Sequence, residues 1–522
     1  MAAGTAPARR YAAAAVKTLY RASRVRTQSW PEEGDWILVD DRHVERVGLG
    51  DPPEAHRVVE LPGTTIIPGF VDAHVHLTGT GLVTAGLDLS GSRSAFDLVR
   101  LAREWVEGLD PSRRDRPVVG QGWDESGWDV PGLPDAGTLD TIPAPALLIR
   151  ADGHTSLANA ALSEAAELGG LPGFGRDDAG DRTGQLTAEA NAAAQKWLFD
   201  GLTDAEVELA QLDACGLAAA RGVTCVHELS IPDKRGRRDF EVLMRQRERL
   251  PAHVVPYFGE VDIPYAMDFG LTRLGGDLFL DGSLGARTAA LTDPYADGGG
   301  TGLLYHEGDE LAELFHNAHL AGMQVGVHAI GDAAIEQAIG VWERVYRALD
   351  SRLRRHFRAR RHRIEHFELP RGDQIERAAA LGLAISVQPN FDAAWGAPGG
   401  MYERRLGETR AAGMNPLRSI LERGLEVGAG SDSPVTPLDP MATLQAAEAH
   451  HDPAQRLSRA EAIRLCTVGA ARLAHLDDKK GRLEPGMQAD FAAYDRDPFV
   501  EPSPEGMRPV LTVSQGRDVY AR

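Results

Sequence analysis

Residues 68–77 read Pro68-Gly69-Phe70-Val71-Asp72-Ala73-His74-Val75-His76-Leu77. In an extended strand alternate side chains share one face, so His74 and His76 point the same way. Two imidazoles converging at the end of a strand make a natural pair of ligands for a divalent metal. An HxH pair alone arises by chance as easily as by function, and the rest of the chain decides. His328 stands in Val325-Gly326-Val327-His328-Ala329-Ile330-Gly331-Asp332 and His366 in Arg363-Ile364-Glu365-His366-Phe367. Asp432 stands in Gly428-Ala429-Gly430-Ser431-Asp432-Ser433-Pro434. Each of these segments closes a short strand-like run.

Eight such runs are found, at 65–76, 222–228, 252–258, 277–281, 324–329, 363–368, 384–388 and 426–430. Most are followed by a stretch with helical patterning, such as 332–349 and 372–381. This alternation predicts parallel βα units. Eight units is the count of a closed (β/α)8 TIM barrel; an open doubly wound sheet is the competing arrangement, with no reason to stop at eight. The C-terminal ends of barrel strands open on one mouth. His74 and His76 on the first run, His328 on the fifth, His366 on the sixth and Asp432 after the eighth would meet there.

Both ends of the chain are strand-rich, at 16–27, 36–47, 491–494 and 510–520, and predict a small β domain built from both termini. We place it at 12–66 and 477–522, with the barrel at 67–476. Residues 80–215 are far too long for a βα connection and read as a subdomain inserted after strand one, over the barrel mouth. The first dozen residues read as a leader without structure. Arg9 and Arg10 precede a short apolar run, but Lys17 and Arg21 interrupt it before a signal-peptide core develops.

With 43% hydrophobic and 25% charged residues the composition is that of a globular enzyme. The formal charge of −20, spread along the chain, argues against a nucleic-acid partner. No stretch is long enough to span a membrane. Three cysteines (Cys215, Cys225 and Cys466) form no framework, so a reducing, cytoplasmic setting is expected. The expected partner is a small-molecule substrate; a homo-oligomer is left open.

These motifs resemble the amidohydrolase superfamily, whose members carry HxH on strand one, a histidine each on strands five and six, and an aspartate on strand eight. More narrowly, the chain resembles the YtcJ-like branch, which includes N-substituted formamide deformylase. The likeness rests on Gln121-Gly122-Trp123-Asp124-Glu125, Asp152-Gly153-His154, the segment from Asp281 to Thr288, Ile364-Glu365-His366, Gly430-Ser431-Asp432-Ser433-Pro434 and the closing stretch from Gly481 to Asp490. It implies a metal centre of His74, His76, His328, His366 and Asp432. Many relatives have on strand four a lysine that becomes carboxylated and bridges two metals. Here that position is Asp277, and no lysine occurs between Lys234 and Lys479. Asp277 and Asp281, on one strand face, are the extra candidate ligands, set against the alternative that Asp277 starts a strand and touches nothing. One ion, zinc, is therefore favoured over a bridged pair.

The implied chemistry is hydrolysis of a carbon–nitrogen bond, of the N-acyl or N-formyl amine type. A metal of this kind lowers the pKa of its water from 15.7 to about 7, and Asp432 would take the proton and pass it to the leaving nitrogen. A deaminase or cyclic-imide hydrolase on the same centre is the alternative within the class, and a noncatalytic barrel serving binding or assembly the alternative outside it. Trp123, His154, Arg287, Tyr402 and Arg405 are the candidates for the substrate pocket, with Trp128 beside Trp123. Arg287 and Arg405 would receive an anionic group. Glu365, by strand alternation, is expected to face away from His366 and pair outside the barrel.

Overall fold

The computed structural model describes residues 16–111, 116–130 and 132–522. The expected leader, and residues 12–15 of the expected terminal domain, lie outside the described residues.

Strands buried along nearly their whole length hold the centre of the molecule. We number them β1 (Phe70–Val75), β2 (Val223–Leu229), β3 (His253–Tyr257), β4 (Arg273–Leu274), β5 (Gln324–Ala329), β6 (Arg363–His366), β7 (Ala384–Val387) and β8 (Glu426–Ala429). They are buried on both faces, as parallel strands covered by helices must be, and the polar exceptions on β1, β2 and β6 include Asp72, His74, Glu228, Arg363, Glu365 and His366. β2 pairs in parallel with β1 and β3, and β4 to β8 pair in parallel in sequence. Single parallel bridges, Phe258 to Leu274 and Val75 to Ser433, join the two arcs into a ring. Helices pack outside it. In Asp332–Ala348, for example, Ile335, Ala338, Ile339, Trp342 and Val345 fall at three- and four-residue intervals and are all buried.

Two of the expected runs are displaced. Run 65–76 divides at Gly69: Arg57–Pro68 belongs to the terminal sheet and only Phe70–Val75 to the ring. The fourth regular strand is Arg273–Leu274, ahead of the expected run 277–281. Gly275 and Gly276 follow it with φ of 67° and 81°, and a Cβ on Gly275 would stand 2.0 Å from the carbonyl oxygen of Gly326. Glycine is required at such an approach. The chain then bends away from regular pairing, places Asp277, and rejoins β5 through a bridge between Phe279 and His328.

The termini share one seven-stranded sheet, in the order Arg517–Ala521, Pro509–Ser514, Phe491–Tyr494, Arg57–Pro68, Lys17–Arg26, Glu33–Asp40 and His43–Gly48. Tyr20 packs edge-on against Phe491, 4.9 Å between ring centres, and donates to Asp518 at 2.8 Å. Phe491, Ile37, Val39 and Val513 fill the core of this sheet.

The segment after β1 builds a six-stranded sheet, in the order Phe174–Arg176, Arg182–Leu186, Ser156–Ala158, Ala146–Arg150, Val118–Trp123 and Leu87–Asp88. Its core includes Leu98, Val106 and Leu148. The helix Asp204–Ala220 runs into β2 and packs on Leu77–Ala85, so it belongs to the ring, and the insertion is shorter than 80–215. Buried Arg150 binds Asp124, Glu125 and Asp152 at 2.7–2.8 Å, which fixes the loop bearing Gly153 and His154 over the ring. Among the described residues no helix is long and apolar enough to cross a membrane.

Candidate metal centre

His74 and His76 lie at the end of β1, His328 on β5 and His366 at the end of β6, with Asp432 just past β8 and Asp277 just past β4. All six are buried. Asp277 touches all four imidazoles: its carboxylate oxygens lie 3.5 Å from His74 Nε2, 3.2 Å from His76 Nε2, 3.5 Å from His328 Nδ1 and 3.7 Å from His366 Nε2. Asp432 Oδ1 lies 3.4 Å from His74 Nε2 and 3.1 Å from His76 Nε2. Asp277 therefore does not stand apart at the start of a strand; it is at the middle of the group.

The far nitrogen of each imidazole is held by an acceptor. His74 Nδ1 donates to Glu365 Oε2 (3.1 Å), His76 Nδ1 to the Leu229 carbonyl (2.8 Å), His366 Nδ1 to Gln388 Oε1 (2.9 Å) and His328 Nε2 to the Gly282 carbonyl (3.1 Å). Each ring then turns its other nitrogen toward the centre, the arrangement in which outer partners orient metal-bound histidines. His74 Nε2, His328 Nδ1, His366 Nε2, Asp277 Oδ1 and Asp432 Oδ1 are buried without any hydrogen-bond partner. Buried polar atoms seldom stay unpaired. Here they face one another, and four neutral imidazoles with two carboxylates match the charge of one divalent cation. The triad of His74, His366 and Asp432 spans both histidine pairs, so the donors form one compact group.

The electrostatics of the group are mutual. Burial raises both carboxyls, yet the field of His74 and contacts to the other imidazoles outweigh it, leaving Asp277 well below the usual range and Asp432 lowered. Burial lowers His74 and His76, and the two aspartates more than reverse it.

Local backbone explains how β6 supplies both an imidazole and its support. His366 and Phe367 have φ of 71° and 54°, so strand alternation stops at His366. Glu365 is consequently not outside the ring, as alternation predicts. It is fully buried within it, between His74 and Arg363, whose guanidinium donates to the same Oε2 at 2.7 Å. Asp432 also has a positive φ of 54° and is held by its N–H on the His74 carbonyl.

Asp281 is engaged elsewhere: its oxygens accept the N–H groups of Ile330, Gly331 and Ala290 at 2.9–3.1 Å. It braces the end of β5, and burial pushes it up to about 7. His154 lies beside His328, 5.5 Å between ring centres, and burial keeps it neutral, well below the ordinary histidine value. Tyr402 lines the same cavity and donates to Glu368 at 2.6 Å. Trp123 points away, its indole N–H on the Leu148 carbonyl in the insertion's core next to Trp128. Arg287 and Arg405 do not line the cavity; both bind Asp297. Sequence reasoning passes over Lys234, Arg235 and Glu368, all of which line it. Only Glu368, two residues past His366, carries a positional signal.

The profile of the Amidohydrolase family matches residues 57–520. YtcJ of Bacillus subtilis (strain 168) is 29% identical over 94% of this chain and 97% of its own length. N-substituted formamide deformylase of Arthrobacter pascens is 25% identical over 85% of this chain and 86% of its own. An uncharacterized metal-dependent hydrolase from Pyrococcus horikoshii OT3 superimposes with a TM-score of 0.73 at 27% identity, covering 94% of this chain and 99% of that one.

Proposed function

Because the chain belongs to the Amidohydrolase family, we propose that it is a metal-dependent hydrolase of non-peptide carbon–nitrogen bonds, acting on N-acyl or N-formyl amines. One observation carries this reading: the unpartnered nitrogens and oxygens of His74, His328, His366, Asp277 and Asp432 face a common point inside the ring. These residues with His76 would hold one divalent ion, zinc in our reading, which supplies acidified water and polarisation of the substrate carbonyl.

The protein's own groups do the rest. Asp432, which lines the cavity beside the donor group, takes a proton from the attacking water and delivers it to the leaving nitrogen; such transfer contributes about 10²–10⁴-fold. Glu365, Gln388 and the carbonyls of Leu229 and Gly282 keep the four imidazoles in the tautomers that leave a lone pair inward. His154, uncharged and closing the cavity from the insertion, excludes water and orients the acyl group. The similarity to N-substituted formamide deformylase supports formyl and acyl amines as the first compounds to try.

The test is a screen of purified, metal-loaded protein against N-formyl and N-acyl amines, cyclic imides and aminated heterocycles, with metal content measured on the same samples. Turnover of an acyl or formyl amine, lost on chelation and restored by zinc, is the expected result. Full metal loading without turnover of any of the panel would overturn the reading.

A further inference from the structure

Among the described residues six lysine and arginine side chains are buried. Four of them sit on carboxylates: Arg150 on Asp124, Glu125 and Asp152, Arg363 on Glu365, Arg405 on Asp297 and Lys480 on Asp490. The other two, Lys234 and Arg235, are neighbours in sequence, 8% and 7% exposed, and neither forms an ion pair. Lys234 Nζ has one long hydrogen bond, 3.4 Å to the Gly153 carbonyl, and lies 4.5 Å over the Phe279 ring. Arg235 lies 5.1 Å over Phe199, and its Nε and Nη1 have no partner at all. The nearest carboxylates stop short of an ion pair: Glu228 accepts the Leu77 N–H and Asp239 accepts Thr78 and Gln211, both close enough to feel Arg235, as Asp277 and Asp152 feel Lys234. A buried cation without a direct ion-pair partner is costly, and two side by side, each with donor capacity left over, suit an anion.

Both residues face the cavity. They sit on the first turn of Pro232–Gln246, which Gly236 (φ 73°) interrupts directly after them. That turn lines one lobe, together with Gln121, Gln195 and Phe279. A second lobe is walled by Leu284, Ile330, Phe391, Trp395, Met401 and Tyr402. His154, His328, His366, Asp432 and Asp152 line both lobes, so the metal centre lies between a chamber that holds both cations beside Asp152 and Asp277 and one walled mainly by aromatic and aliphatic side chains, with Glu368 and Ser283 among them.

We propose that the substrate is an amide with a carboxylate on one side of the scissile bond, seated on Lys234 and Arg235, and an apolar group on the other, in the aromatic lobe. This rests on the hydrolase reading for the position of the scissile bond, and on the two unpaired cations for the anion. Burial lowers Lys234 to about 8, which leaves it mostly charged at neutral pH. Charge-assisted bonds to a fixed carboxylate are roughly twice as strong as neutral ones.

The experiment uses matched probes in both orientations: N-phenylacetylglycine against N-propylphenylacetamide, and N-benzylsuccinamate against N-benzylbutyramide. Affinities are read by calorimetry on full-length, metal-loaded Asp432→Asn protein, and kcat/KM on the unsubstituted enzyme. At least one carboxylate probe should bind 10-fold or more tighter than its neutral partner, and Lys234→Met and Arg235→Leu should each shrink that ratio toward unity. Equal affinities of the matched probes, together with equal kcat/KM on the unsubstituted enzyme, would overturn the proposal without either the Lys234 or the Arg235 variant having to fold. A preference that survives both substitutions would overturn it as well. Hydrolysis of the neutral amides without an anion preference removes the anion site and leaves the hydrolase reading standing. Anion preference without hydrolysis of any amide does the reverse.

Discussion

Glu365 Oε2 lies 3.1 Å from His74 Nδ1 while accepting from Arg363 at 2.7 Å, and all three side chains are fully buried. The carboxylate fixes the His74 tautomer and raises the basicity of Nε2. Glu365→Gln keeps the shape and removes the charge, and its amide can present a donor to Nδ1. Loss of such an outer partner costs about 10–100-fold in metal affinity. Chelator competition should read that weakening while Glu365→Gln protein remains folded; unchanged affinity would refute the orienting role.

Asp432→Asn preserves size and removes the basic oxygen. Metal content should hold while turnover falls by about 10²–10⁴-fold. His74→Ala or His76→Ala should instead lose the metal itself. Full activity in Asp432→Asn, or metal and rate retained together in His74→Ala, contradicts these roles.

Asp277 is the carboxylate that meets all four imidazoles. We expect one ion per chain, and a loss of affinity in Asp277→Asn at least as large as in Glu365→Gln. Two ions per chain at saturation, or an Asp277→Asn protein that binds metal normally, would remove Asp277 from the centre.

Stability should depend on pH through histidines remote from the centre. His362 Nδ1 accepts the Val325 N–H at 3.1 Å, so its Nε2 carries the proton and donates to His319 Nδ1 at 3.0 Å; its ring stacks on Trp342 at 3.8 Å. Burial lowers both, His319 to about 4 and His362 well below its ordinary value. Unfolded histidines titrate near 6.5, so between about 6.5 and 4 the unfolded chain binds more protons. The contribution is full above about 6.5 and is lost as pH falls, by about 1.4 kcal/mol per pH unit for each extra proton. Urea midpoints from pH 7 to 4.5 should fall, and less steeply in His319→Gln. An identical slope in that variant argues against the pair.

The sequence exposes what regular geometry produces and hides what departures from it produce. His74 and His76 are readable because a strand's period of two puts them on one face, and His328 and Asp432 because each ends a run. Glu365 is misread for the same reason: alternation is sound until His366 enters the left-handed region. Asp277 is ambiguous because Gly275 and Gly276 break the strand before it, and no local pattern reports where a chain goes after two positive φ values. Arg287 and Arg405 look like free cations until Asp297 and the Gly285 carbonyl are found beside them. Lys234 and Arg235 belong to no motif, and only the absence of partners in three dimensions sets them apart.

The place of Arg57–Pro68 in the terminal sheet has a consequence for how the chain is made. One edge of that strand pairs with Lys17–Arg26, already synthesised, and the other with Phe491–Tyr494. On the ribosome the second edge stays open until residues 491–494 have emerged, and an open edge is a site for wrong pairing. Pro68 and Gly69 tie the same strand directly to the segment bearing His74 and His76. The segment bearing the first two ligands is thus anchored by a strand made far later in the chain, and the sheet closes on it only then.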